Sequence, residues 1–155
     1  MLLTNHTLTG IALGLAIDNP VVLAPAAVAS HLALDMTPHF WFKRGGGNGF
    51  DDPLFLVVGA VDFGLSVCLA IGACLIWPGR ALNVIVGVIG ADLPDLIYIP
   101  VILVGRARLN HWLPWYEPML KFLKRIQWSE TPAGIITEII WLAVILSVIS
   151  KFLPR

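Results

Sequence analysis

The chain has 155 residues, of which 57% are hydrophobic and only 13% are charged, and its formal net charge is zero. Soluble domains carry about 25% charged residues, so this composition predicts an all-α integral membrane protein, one transmembrane helical domain over residues 1–155. The neutral balance argues against nucleic-acid binding by a basic surface.

The first two apolar segments predict a helical hairpin. Thr7–Ile17 is too short to cross a hydrocarbon core of about 30 Å. Asp18-Asn19-Pro20 then supplies cap residues and a proline, a typical helix start, and the second segment runs to about Met36. The hairpin either spans or re-enters the membrane, and both alternatives stay open. Gly10 and Gly14 predict close approach to another helix.

Three later segments predict full transmembrane helices, because each exceeds the roughly 20 residues that a crossing needs. They are Leu54–Trp77, Ala81–Val104 and Ala133–Leu153. The first follows the cap residues Asp51-Asp52 and the polar loop 43–49. Pro94 predicts a kink in the second. The expected fold is therefore a small bundle of three full transmembrane helices plus the N-terminal hairpin.

Residues 105–131 form a basic, aromatic loop that we expect at the membrane interface, with an amphipathic helix over Met119–Gln127. The cations of this loop also predict how the chain is oriented in the membrane. If the five segments alternate across the membrane, the side of the N-terminus carries Lys43, Arg44, Arg106, Arg108, Lys121, Lys124 and Arg125, and the other side carries Arg80, Lys151 and Arg155. The positive-inside rule then predicts a cytoplasmic N-terminus.

Eight ionisable residues fall in the cytoplasmic half of this predicted bundle, where polar groups are functional candidates by default. They are His6, His31, Asp35, His39, Asp62, Asp92, Asp95 and Glu138. His31 and Asp35 are four residues apart and share one helix face. A mixture of imidazole and carboxylate ligands suits zinc, iron or manganese, and there are enough ligands for two ions. The alternative for His31 and Asp35 is a hydrogen-bonded pair that fixes helix packing.

Three motifs carry a family resemblance. Asn5-His6-x3-Gly10, Ser30-His31-Leu32-x2-Asp35-x2-Pro38-His39 and Gly90-Ala91-Asp92-Leu93-Pro94-Asp95 resemble the bacterial family of small membrane-bound, predicted metal-dependent hydrolases. That family is similar, more distantly, to the zinc-dependent phospholipase C and single-strand nuclease group. The resemblance implies that His31, Asp35 and His39 are metal ligands, together with His6, Asp92 and Asp95. It covers much of the chain from Asn5 to about Pro100.

The expected function is a metal-dependent hydrolase of the bacterial inner membrane that acts on a phosphoester, with membrane lipid as a partner and a lipid-linked phosphate as the suggested substrate. Zinc is the expected cofactor, and Asp62 or Glu138 is the expected catalytic base that takes a proton from water. Two alternatives stay open. One is a metal-ion or proton transporter or channel subunit. The other is a non-catalytic membrane protein in which the metal ion has a structural role. The oligomeric state is also open.

Overall fold

The computed structural model describes residues 1–40, 53–127 and 131–154. Within these ranges the secondary structure is helical, as the composition predicted, and contains no strand. The helices are α1 (Leu3–Ala16), α2 (Pro20–Asp35), α3 (Pro53–Ile76), α4 (Ala81–Leu96), α5 (Ile99–Val104), α6 (Arg106–Trp112), α7 (Tyr116–Ile126) and α8 (Ile135–Ser150). The predicted cap Asp51-Asp52 and the loop 43–49 lie outside the described residues.

Helix α1 is the centre of the bundle and packs against α2, α3, α4 and α8. Its apolar side chains meet small or branched residues from three of those helices. The main core consists of Leu8, Ile11, Ala12, Leu15, Ala73, Val84, Ile145 and Ile149. The N-terminal part of α1 is different, because the buried side chains there are polar: Asn5, His6, Thr7 and Thr9.

Helices α1 and α4 touch backbone to backbone. A Cβ atom added at Gly10 would lie 2.5 Å from the carbonyl oxygen of Gly87, and one added at Gly14 would lie 2.6 Å from that of Asn83. Only glycine fits at such distances, so the predicted close approach through Gly10 and Gly14 is confirmed. The contact sets the register that brings the start of α1 beside the end of α4.

The N-terminal hairpin forms as predicted. Pro20 begins α2, and the side chain of Asn19 accepts the backbone N–H of Val21 at 2.9 Å. Helices α1 and α2 have 14 and 16 residues, or about 21 and 24 Å at 1.5 Å per residue. Both are shorter than a hydrocarbon core of about 30 Å. Whether the hairpin re-enters a membrane stays a prediction.

Within the described residues, two helices, rather than the predicted three, are long and apolar enough to cross a membrane. They are α3, with 24 residues, and the 19-residue stretch Pro132–Ser150, in which a 3-10 turn precedes α8. The prediction of a third crossing over Ala81–Val104 is wrong, because helix α4 ends at Leu96 and the separate short helix α5 begins at Ile99. Pro94 removes a backbone donor from the last turn of α4, and Pro100 lies in the first turn of α5.

Helices α5, α6 and α7 form a separate layer with its own small core. Leu109, Tyr116 and Leu120 are buried there, and the Tyr116 hydroxyl donates a hydrogen bond to the carbonyl oxygen of Ile97. Helix α7 overlaps the helix predicted over Met119–Gln127, beginning three residues earlier and ending one residue earlier. Residues 128–130 of the predicted interfacial loop lie outside the described ranges.

Candidate metal centre

A group of buried polar side chains lies where α1 begins and where α2 and α4 end. His6, His31 and Asp35 are 0%, 1% and 2% exposed. The side chain of Asp95 is 29% exposed and is therefore the accessible edge of the group. The close contact between α1 and α4 through Gly10 and Gly87 places these residues together.

His6, His31 and Asp95 have the separation of metal ligands. One ligand atom from each lies within 4.8 Å of the other two, and the His31 Nε2 to Asp95 Oδ1 distance is 3.8 Å. The two imidazole rings are stacked, with centroids 3.8 Å apart. Zinc–nitrogen bonds near 2.0–2.1 Å in a tetrahedral site separate ligand atoms by roughly 3.3 Å, so small side-chain movements would bring these three atoms to the separations of metal ligands.

The ring of His31 is oriented by a backbone hydrogen bond. Its Nδ1 lies 2.5 Å from the carbonyl oxygen of Ala91, so the Nδ1–H donates there and Nε2 faces the polar group. Metal-binding histidines in proteins are held in this way by a second hydrogen bond. His6 Nδ1 is buried and has no hydrogen-bond partner among the described residues. The group thus contains an oriented imidazole and an unused imidazole nitrogen.

Asp35 joins the elements around the centre. Its Oδ1 lies 3.2 Å from His6 Nε2 and 2.7 Å from the amino group of Met1. Its Oδ2 lies 3.1 Å from His31 Nε2 and accepts a hydrogen bond of 2.8 Å from the side-chain amide of Gln127. Asp35 therefore contacts both imidazoles, although it lies outside the group formed by His6, His31 and Asp95.

Asp62, predicted as a catalytic base, contacts the start of α1. It accepts the backbone N–H groups of Leu3 at 2.7 Å and Thr4 at 3.0 Å, as well as the Thr4 hydroxyl. The first N–H groups of a helix have no partner within the helix, and α1 has no cap from its own N-cap residue, Leu2. A carboxylate on α3 thus caps α1.

Glu138, the other predicted base, contacts the same end of α1 from α8. Its carboxylate accepts the backbone N–H of Leu2 at 3.1 Å, the amide of Asn5 at 2.6 Å and the backbone N–H of Phe40 at 3.3 Å. It is 3% exposed. Glu138 therefore ties together α1, α8 and the segment after α2.

Asp92 and His39 are buried beside the centre without joining the group of His6, His31 and Asp95. Asp92 Oδ2 accepts the hydroxyl of Thr7 at 2.9 Å, and its Oδ1 has no partner among the described residues. His39 is 1% exposed, and its Nδ1 lies 2.8 Å from the carbonyl oxygen of Thr37. Their predicted role as ligands stays a prediction.

The negative charge at this end of the bundle has no matching Lys or Arg. Five carboxylates meet here: Asp35, Asp62, Asp92, Asp95 and Glu138. In the described part of the chain, the ion pairs of Lys and Arg join Arg80 to Asp18 and Lys121 to Glu117, and none reaches these five. The Met1 amino group pairs with Asp35, and hydrogen bonds stabilise Asp62, Asp92 and Glu138. Carboxylates without a Lys or Arg partner are also suitable ligands for a cation.

Several contributing residues were not predicted. Gln127, Asn5, Thr4 and Thr7 all donate hydrogen bonds to the carboxylates. The signal for three of them was present, since Thr4, Asn5 and Thr7 flank His6 in an otherwise apolar segment. Gln127 gave no such signal, because it is far from the motifs in sequence.

Comparisons with protein-family models, with curated proteins and with solved structures find no match. The resemblance to membrane-bound hydrolases therefore rests on the short motifs around His6, His31 and Asp92.

Proposed function

We propose that this protein is an integral protein of the bacterial inner membrane that binds a divalent metal ion and hydrolyses a phosphoester, with its N-terminus in the cytoplasm. The exposed surface of α3 supports the membrane location. Val57, Val61 and Leu65 are 59%, 66% and 50% exposed along one helix. Large exposed apolar surfaces mark contacts with lipid or protein, and α8 carries a similar surface at Ile136, Ile139 and Ile140.

The main observation in support of metal binding is that ligand atoms of His6, His31 and Asp95 lie within 4.8 Å of one another. The hydrogen bond from His31 Nδ1 to the Ala91 carbonyl supports it, as does the unpartnered Nδ1 of His6. Zinc fits this mixture of nitrogen and oxygen ligands, and iron and manganese are the alternatives. A bound divalent ion supplies a Lewis acid that activates water and polarises a phosphoryl oxygen.

The carboxylates around the site divide between two tasks. Asp35 contacts both imidazoles and also accepts the Met1 amino group and the Gln127 amide, so it is our candidate for orienting the two imidazoles toward a metal. Asp62 and Glu138, the bases expected from the sequence, each accept several N–H groups at the start of α1. That arrangement favours a positioning role for both Asp62 and Glu138. The alternative, a catalytic base, predicts a variant that still binds metal but no longer hydrolyses the substrate.

A lipid-linked phosphoester is the substrate class that we propose. Asp95 is the partly exposed ligand, so a substrate phosphate would approach the metal from its side. The exposed apolar side chains of α3 and α8 support membrane lipid as the neighbouring source of such a phosphate.

The test starts with the metal content of detergent-purified protein, measured by mass spectrometry after loading with zinc, manganese or iron. We expect near-stoichiometric metal in the wild type, and loss in His6→Ala, His31→Ala and Asp95→Asn. His111→Ala is the matched control, because His111 is exposed on α6. The loaded protein is then assayed on short-chain phosphatidic acid and on a soluble phosphodiester.

The outcomes separate the candidate functions. Metal binding with hydrolysis that fails in the same three variants supports the proposal. Metal binding without hydrolysis of either substrate overturns the hydrolase and favours a structural metal site, for which the clamping of α1 by Asp62 and Glu138 is the supporting observation. No metal in well-folded wild type overturns the proposal and favours ion or proton transport.

A further inference from the structure

Helix α7 has one face buried in the protein and another that no described residue covers. Tyr116, Leu120 and Leu123 face inward and are 3%, 5% and 8% exposed. The outward side chains belong to Lys121, Phe122, Lys124 and Arg125, all of them exposed. We call these four residues the outer face of α7.

The outer face combines cations with an exposed aromatic side chain. Phe122 is 56% exposed, and the nearby Trp112 and Trp115 are 60% and 59% exposed. In the described part of the chain, Lys124 and Arg125 take part in no ion pair, while Lys121 lies 3.9 Å from Glu117. A helix with cations beside exposed apolar rings is typical of a surface at a lipid headgroup layer.

The position of α7 agrees with that surface. Gln127, the residue after the helix, donates its hydrogen bond to Asp35 at the end of α2. The span Pro132–Ser150 begins only a few residues later. The C-terminal end of α7 is therefore beside the end of the bundle at which a candidate membrane-spanning helix starts, where the headgroups of a bilayer would lie.

We infer that the outer face of α7 binds the anionic headgroups of membrane lipids, with Lys121, Lys124 and Arg125 near the phosphates and Phe122 among the upper acyl carbons. This inference rests on the proposed membrane location, and it requires neither the metal nor the hydrolysis. Positive side chains near an anionic bilayer each strengthen the attraction by roughly fivefold, equivalent to about 1 kcal/mol. The attraction weakens as salt rises, because the Debye length falls to about 3 Å at 1 M.

The experiment compares two double variants in vesicles of equimolar phosphatidylcholine and phosphatidylglycerol. Lys124→Gln/Arg125→Gln removes two cations from the outer face. Arg80→Gln/Lys151→Gln removes two cations elsewhere, one directly before α4 and one directly after α8. Each reconstituted protein is extracted gently, and the lipids that remain bound are quantified by mass spectrometry. A carbonate wash of the vesicles first establishes that each protein is integrated.

We expect phosphatidylglycerol to be enriched on the wild type and on the Arg80/Lys151 variant, and the enrichment to fall several-fold in the Lys124/Arg125 variant and at high salt. Equal enrichment in both variants, or none on the integrated wild type, overturns the inference. A protein that the carbonate wash removes overturns the membrane location itself.

Discussion

Asp62 on α3 accepts hydrogen bonds from both the backbone N–H and the side-chain hydroxyl of Thr4 on α1. A helix cap normally comes from a residue just before the helix, but here it comes from a different helix, 58 residues away in sequence. The cap holds the first turn of α1, and His6 follows within that turn. Asp62 therefore acts on the candidate metal centre by fixing where α1 begins.

Replacement of Asp62 separates capping from proton transfer. In Asp62→Asn one amide oxygen still accepts an N–H, so we expect most of the stability and the metal binding to remain. Asp62→Ala removes the cap and should lower the free energy of unfolding by about 1–2 kcal/mol. Thermal melts and metal content of the two variants provide the measurement. If Asp62→Asn binds metal normally yet loses hydrolysis completely, Asp62 is the base rather than a cap.

The glycine contact between α1 and α4 leads to a second prediction. Gly87→Ala places a methyl group against the backbone of Gly10, and overpacking of this kind costs about 1–3 kcal/mol. Because the contact sets the register of the two helices, we also expect metal affinity to fall. Gly72→Ala is the control, since nothing lies within 4 Å of its Cβ position in α3 and alanine favours a helix by about 1 kcal/mol. Equal melting temperatures for the two variants would contradict this account.

Local patterns predicted the parts of the fold that depend on local chemistry. The Asn19-Pro20 start of α2, the apolar length of α3 and the four-residue spacing of His31 and Asp35 can all be recognised in sequence. The prediction of a crossing over Ala81–Val104 was wrong, because hydropathy counts apolar residues and gave too little weight to Pro94 and Pro100. Together they divide the segment into two helices that are each too short.

The hydrogen bonds of Asp62 and Glu138 could not be predicted in the same way. Their partners are the N–H groups at the start of α1, and a donor of that kind has no sequence signature. Which carboxylate faces an open helix end depends on how three helices pack. A buried acid in an apolar segment therefore indicated a polar partner, but not whether that partner is a metal, a proton or a backbone amide.

Metal removal should destabilise the wild type. A ligand that binds only the folded state adds about 2.7 kcal/mol of stability when its free concentration is 100 times Kd. We expect chelation to lower the melting temperature of the wild type and His39→Ala, but not of His31→Ala, because His39 lies outside the group of His6, His31 and Asp95. Differential scanning fluorimetry with and without chelator measures both effects. A chelation-insensitive His39→Ala protein would make His39 a ligand after all.

Gln127 connects the α5–α7 layer to the candidate metal centre through its hydrogen bond to Asp35. A hydrogen bond to a charged group contributes about 1.5–3 kcal/mol, so Gln127→Ala should speed amide exchange in the last turn of α7 by tenfold or more. Asn110→Ala is the matched control, because it removes another amide-to-carboxylate bond, to Glu117, within the same layer. Hydrogen–deuterium exchange with mass spectrometry resolves the two ends of α7. Because Asp35 contacts both imidazoles, only Gln127→Ala should also change metal affinity. An equal change in Asn110→Ala would mean that the layer acts through its overall stability and not through the contact between Gln127 and Asp35.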